Sequence, residues 1–116
     1  MNLDQFREYC LSKKSTSEAT PFDEHTLVMK VAGKIFAITD ADNFDSINLK
    51  VDPEYGLELK ERYSSILSAY HMNKKHWITV QTKGDVRDKL LLELIDVSYD
   101  LVVSKLSGRE RLLLLS

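Results

Sequence analysis

Residues 26–39 hold two runs of alternating side chains separated by only two residues, and that spacing permits one arrangement. Leu27, Met29 and Val31 alternate with Thr26, Val28 and Lys30, the period of a strand with one buried face. Ala32-Gly33 can only turn the chain straight back, so residues 34–39 form the second arm of an antiparallel hairpin. A third alternating run follows an acidic loop at 40–45, with Ile47, Leu49 and Val51 interleaved with Ser46, Asn48 and Lys50. The centre of the fold is therefore an antiparallel sheet.

Helical signals surround it. Asn2 is placed to N-cap a first helix with Gln5 three residues on, Leu3, Phe6, Tyr9 and Cys10 share one face, and Lys13-Lys14 suit its carboxyl end. Residues 15–21 are polar and read as a loop. Asp52-Pro53 starts a second helix, whose Tyr55, Leu59 and Tyr63 recur every four residues. Residues 66–70 and 76–82 read as two further strands or one hairpin. Lys83-Gly84 turns the chain, Asp85 is expected to cap a last helix over 86–107, and Gly108 sits where a C′ glycine would end it.

The order α-β-β-β-α-β-β-α makes an α+β fold, an antiparallel sheet with helices packed on one face. On the other face Lys30, Asn48, Lys50, Trp77 and Thr79 are expected to point outward, with Ile78 and Val80 inward. A one-residue register slip would reverse this. Residues 1–107 read as a single domain and 108–116 as a leucine-rich tail.

At 116 residues the chain is long enough for one core without metal or disulfide staples. Cys10 is the only cysteine, which excludes an intrachain disulfide and suits a buried position. No apolar run approaches the ~20 residues of a membrane span, and the amino terminus lacks a basic segment followed by an apolar one, so the expected setting is the cytoplasm. The net charge is −2, which argues against bulk attraction to nucleic acid. The charges are unevenly spread, however: residues 68–83 hold 3 basic side chains and no acidic one. Any DNA affinity must come from such a patch and be salt-sensitive.

The segment Ala69-Tyr70-His71-Met72-Asn73-Lys74-Lys75-His76-Trp77 gathers two of the three histidines, the single tryptophan and two adjacent lysines. Lysines beside aromatic rings can contact phosphates and stack on bases or sugars. A solvated hairpin with a packed tryptophan would carry the same residues. His71 and His76 could approach across a hairpin, but the further ligands a metal needs, His25 and Asp23-Glu24, lie far off in sequence. Asp40, Asp42, Asn43 and Asp45 fail as a calcium loop, because Phe44, Asp45 and Val51 occupy the fifth, sixth and twelfth positions. There is no nucleophile motif and no glycine-rich phosphate loop. Catalysis and a cofactor are therefore not expected, beyond His71 as an isolated candidate base. Leu112, Leu113, Leu114 and Leu115 form either a docked final turn or a self-association surface; the chain is expected to be monomeric.

Four stretches, 27–36, 47–53, 69–77 and 94–105, resemble the MmcQ/YjbR family, and Tyr70-His71-Met72-Asn73-Lys74-Lys75-His76-Trp77 is the most specific of them. The resemblance covers residues 2–107. It implies a CyaY-like (frataxin-like) α+β fold and a DNA-binding role in which wing-like projections straddle the duplex. The positions it carries over are Lys30, Lys34, Asn48, Lys50, His71, Asn73, Lys74, Lys75, His76 and Trp77, with Tyr70 beside them. The lysines would meet phosphate oxygens, the asparagines would hydrogen-bond, and Trp77 would stack or pack, without strong sequence specificity. A protein-interaction or small-ligand module using the same segment is the alternative. Iron binding of the frataxin kind is not implied, because the first helix offers only Asp4 and Glu8.

Overall fold

A computed structural model describes residues 1–69 and 72–115, without the side chains of Leu113 and Leu115. The elements are α1 (Leu3–Leu11), β1 (Thr16–Ala19), β2 (Thr26–Val31), β3 (Lys34–Asp40), β4 (Ser46–Lys50), α2 (Pro53–Arg62), β5 (Ile66–Ser68), β6 (Trp77–Gln81), α3 (Asp88–Ser104) and α4 (Gly108–Leu115). Six strands form one sheet in the order β1-β2-β3-β4-β6-β5, every neighbour antiparallel, with the helices on one face. This is the α+β fold that the alternation implies.

The 26–39 hairpin closes as its two-residue turn requires. Val31 pairs with Lys34, and Ala32 and Gly33 both take positive φ (49° and 80°), the twist that matches two-residue turns to the strands. The outward set is also as expected. Leu49 lies opposite Ile78 and Ile47 opposite Val80, all four buried, whereas the flanking pairs Lys50–Trp77 and Asn48–Thr79 are only half-buried. At the amino terminus Asn2 and Gln5 form the reciprocal capping box, with bonds of 2.8 and 2.9 Å.

Three local expectations are corrected. The polar stretch 15–21 contains the edge strand β1, held by its ladder to β2 and by the Arg7–Glu18 ion pair from α1. An edge strand can be polar on both faces, which hides it from a search for alternation. Asp85 does not cap the last helix. Its carboxylate accepts the Ser64 and Ser65 N–H groups at 3.0 Å each, and α3 begins at Asp88. Gly108 does not terminate α3, which ends at Ser104; it opens α4, capped by reciprocal Ser107–Glu110 bonds of 3.0 and 3.1 Å. The Ser-x-x-Glu signature was present in the sequence but stood next to a glycine that read as a stop.

Helix α3 turns a continuous stripe onto the sheet: Leu91, Leu94, Ile95, Ser98 and Val102 are buried at helical spacing. One residue of that stripe is polar. Ladder pairing between β3 and β4 reaches only Ala37–Leu49 at one end. There the Ser98 hydroxyl donates to the Phe36 carbonyl and accepts the Lys50 N–H at 2.8 Å. A helix side chain thus completes two backbone groups that the strands leave open.

Two predictions follow from these contacts. Ser98→Ala leaves a part-buried N–H and a buried C=O without a partner, so it should lower unfolding free energy by about 2 kcal/mol. Denaturant unfolding reads this, and a loss below about 0.5 kcal/mol would show that water or the strands replace the hydroxyl. For Asp85, the Ser65 side chain, with the Ser64 and Ser65 N–H groups and the Ser64 hydroxyl, holds the carboxyl at about 2 against an ordinary 3.8. A depressed carboxylate stabilises the fold above its unfolded value and loses that effect as pH falls. The Asp85 contribution should therefore be complete above pH 3.8 and disappear towards about 2, a change absent in Asp85→Asn.

Candidate nucleic-acid interface

The antiparallel register sorts the charges by strand end. Lys30 at the end of β2, Lys34 at the start of β3, Lys50 at the end of β4 and Trp77 at the start of β6 all lie at one end of the sheet. The turn carrying Asn73, Lys74, Lys75 and His76 leads directly into β6 and so occupies the same end. Asp40, paired with Thr26, lies at the opposite end beside Asp23, Asp42 and Asp45. Of the acidic residues near the lysine end, Asp52 and Glu54 directly follow β4 at the start of α2.

Asn73 builds the turn. Its Oδ1 accepts the Lys75 N–H at 3.0 Å, and its carbonyl accepts those of His76 and Trp77 at 3.1 and 3.0 Å. The His76 carbonyl then takes the Val51 N–H at 2.8 Å, which ties the turn to the end of β4. Lys74 and Lys75 are exposed, while His76 and Trp77 are half-buried. Lys74 and Lys75, with Lys60 of α2, rim a depression of 470 Å³ above Val51, Leu57 and Ile78.

Asn48 is turned to a structural task, its Oδ1 accepting the Thr79 hydroxyl at 2.6 Å. It also lines a shallow depression of 480 Å³ on the open sheet face, with Phe22, Ile35, Ile38 and Met72. Lys34 and Lys50 converge on a further pocket with Lys105, from the carboxyl end of α3. Burial first, and the Lys105 charge second, lower the Lys50 pKa from its ordinary value. The sequence by itself does not single out Lys60 or Lys105. The signal for Lys105 was available, since it falls seven residues after Ser98 and three after Val102, on the stripe that faces the sheet. Tyr70 and His71 lie outside the described residues.

Other chemistry finds little support at these positions. Among the described residues no group of three His, Cys, Asp or Glu side chains is gathered as a metal site would need. His25 bonds to Asp42 at the acidic end, away from His76. Asp40 Oδ1 accepts the Asp42 and Asn43 N–H groups, so the acidic loop folds on its own side chain. Burial pushes the Cys10 thiol up to about 12, leaving it protonated at neutral pH.

The comparisons with known proteins agree with this fold. Residues 11–101 match the YjbR family. The chain is 41% identical to the uncharacterized protein YbdF of Escherichia coli O157:H7 over 78% of its own length and 75% of that protein. It is 30% identical to YjbR of Escherichia coli K12 over 98% of both chains. The crystal structure of Deinococcus radiodurans protein DR2400 superposes with a TM-score of 0.89 at 41% identity, covering 95% of this chain and 85% of that one. A crystal structure from Pseudomonas syringae gives a TM-score of 0.73 at 34% identity, over 87% and 98%. The chain belongs to the YjbR family.

The role given to Asn73 is open to a direct check. Asn73→Ala removes the acceptor of the Lys75 amide, a bond worth about 1 kcal/mol, so exchange at that amide should quicken about fivefold. The Trp77 amide, held by the Asn73 carbonyl, should change less. Equal protection in the variant would show that the side chain does not shape the turn.

Proposed function

We propose that this protein binds DNA through contacts to the phosphate backbone, made by the lysine end of the sheet and without strong sequence specificity. The observation that supports this reading is the sorting of charge. Lys30, Lys34 and Lys50 come to one end with the Asn73–Trp77 turn, while Asp23, Asp40, Asp42 and Asp45 collect at the other. On a chain of net charge −2 this gives a dipole along the strands that presents one cationic end to a polyanion. The cations are lysines, point charges on flexible stems that can follow phosphate oxygens along a backbone. Trp77, cross-strand from Lys50, offers a ring at the same end. Tyr70 and His71, which precede this turn in sequence, remain part of the proposal.

A second reading, a protein- or ligand-binding module on the same segment, is favoured by the apolar floor of Val51, Leu57 and Ile78 under Lys60, Lys74 and Lys75. The setting we propose is the cytoplasm; no described helix is long and apolar enough to cross a membrane. We propose a monomer, with Leu112–Leu115 as the stretch through which any self-association would run; within it Leu112 is exposed and Leu114 is buried in the core.

The emission of Trp77 tests this reading directly. Duplex DNA titrated at about 50 mM and again at about 200 mM salt should give saturable changes that weaken by orders of magnitude. Replacing Lys74 and Lys75 together with alanine should reduce the slope of log affinity against log salt by about 1.8, two phosphate contacts at about 0.9 each. No change in emission and none in anisotropy at low salt would discard the DNA reading in favour of the second.

A further inference from the structure

Where Ser98 bridges Phe36 and Lys50, strands β3 and β4 no longer pair, and α3 passes over the gap. Above that point lies a pocket of 290 Å³ lined by Lys34 and Ile35 of β3, Lys50 of β4, and Val102, Lys105 and Leu106 at the end of α3. Every polar side chain in this lining is a lysine. The three arrive from three separate elements, and the rest of the lining is aliphatic.

Little in the fold balances those charges. Among the described residues none of the three lysines is in an ion pair. Glu110 of α4 is the acidic group that feels Lys34, but its carboxylate is engaged first by the Ser107 N–H and hydroxyl. Nor is Lys105 needed to close the carboxyl end of α3, where Arg111 donates to the Ser104 carbonyl. Lys50 is half-buried beside a like charge, an arrangement an anion would relieve.

We propose that Lys34, Lys50 and Lys105 form a binding site for the dianionic phosphate of a phosphomonoester. Three ammonium groups converging from different elements match tetrahedral oxygens, whereas a planar carboxylate is the usual partner of a guanidinium fork. A monoester phosphate carries close to two charges at neutral pH, against one for an internal diester of DNA. At about 30 Å³ per water, the pocket has room for the phosphate and a few atoms of its ester. Ile35, Val102 and Leu106 form an apolar floor against which those atoms can lie. The site shares Lys34 and Lys50 with the cationic end proposed to face a duplex and adds Lys105, which that reading does not use, so the two readings can fail separately.

Such a phosphate comes either from a small phosphorylated molecule or from the 5′ end of a nucleic-acid strand. The test uses the full chain and amide NMR at constant ionic strength, titrating inorganic phosphate against chloride. Saturable shifts should centre on Lys34, Lys50 and Lys105. Lys105→Gln, an exposed position, should weaken them about tenfold, the loss of one charge-assisted bond. Lys50→Met, which keeps the length of the side chain, should do the same. A short strand bearing a 5′-phosphate that binds more tightly than its 5′-hydroxyl twin identifies strand ends as the source. Equal strands, with glycerol 3-phosphate shifting the pocket, identify a small molecule. Phosphate shifts that are absent, scattered over the surface, or unchanged in both variants overturn the site. Retention of the duplex-induced Trp77 change in Lys105→Gln separates failure here from failure of the DNA reading.

Discussion

Leu49 lies opposite Ile78 and Ile47 opposite Val80, and the burial of these four side chains fixes everything outward of them. Strand side chains alternate strictly, so once these residues enter the core the intervening ones have no choice of face. Lys50 must then stand beside Trp77, and Asn48 beside Thr79. The cost of moving either strand's register by one residue is the exposure of its two large aliphatic side chains, at roughly 1.5–3 kcal/mol each. That exceeds anything surface lysines could contribute by themselves, so the arrangement of the outer face follows from the packing of the inner one.

Ser98 shows the same dependence in a polar group. A serine in the middle of an otherwise apolar helix stripe would be a liability if its hydroxyl had nothing to bond. It instead takes up the two backbone groups left where β3 and β4 part. The strands therefore separate without leaving a buried polar group unsatisfied, and the gap opens on the side where Lys34, Lys50 and Lys105 converge. Phe36, whose carbonyl Ser98 holds, meanwhile packs edge-on against Tyr99 with ring centroids 5.4 Å apart, which keeps α3 seated on β3.

Much of this was legible in the sequence where burial and alternation coincide. The hairpin at Ala32-Gly33, the two faces of β4 and β6, and the box at Asn2 and Gln5 each have one strong local signal that tertiary packing reinforces. What escaped were residues whose partners are distant in the chain. β1 is a strand because β2 and Arg7 hold it, and its own residues, Thr16, Ser17, Glu18 and Ala19, carry no alternation. Asp85 looked like a helix cap because caps are local, yet its bonds run to Ser64 and Ser65, about twenty residues earlier. Lys105 caps the carboxyl end of α3, where a cation is expected for the helix dipole alone. Only the fold brings it to Lys34 and Lys50, some 71 and 55 residues away in sequence.

The separation of charge also explains how an acidic protein can offer a cationic surface. Screening in physiological salt limits exposed charges to a reach of about 8 Å, so a ligand at the lysine end senses its neighbours and little of the carboxylates at the far end of the strands. Strands of five to seven residues at about 3.4 Å each exceed that reach at least twofold. Antiparallel pairing then makes the segregation cumulative, because each hairpin returns the chain to the same end. Lys30 and Lys34 flank one turn, and Lys50 and Trp77 meet across the next ladder. The net charge of −2 describes the chain as a whole, while the field at the lysine end is set by the charges nearest to it.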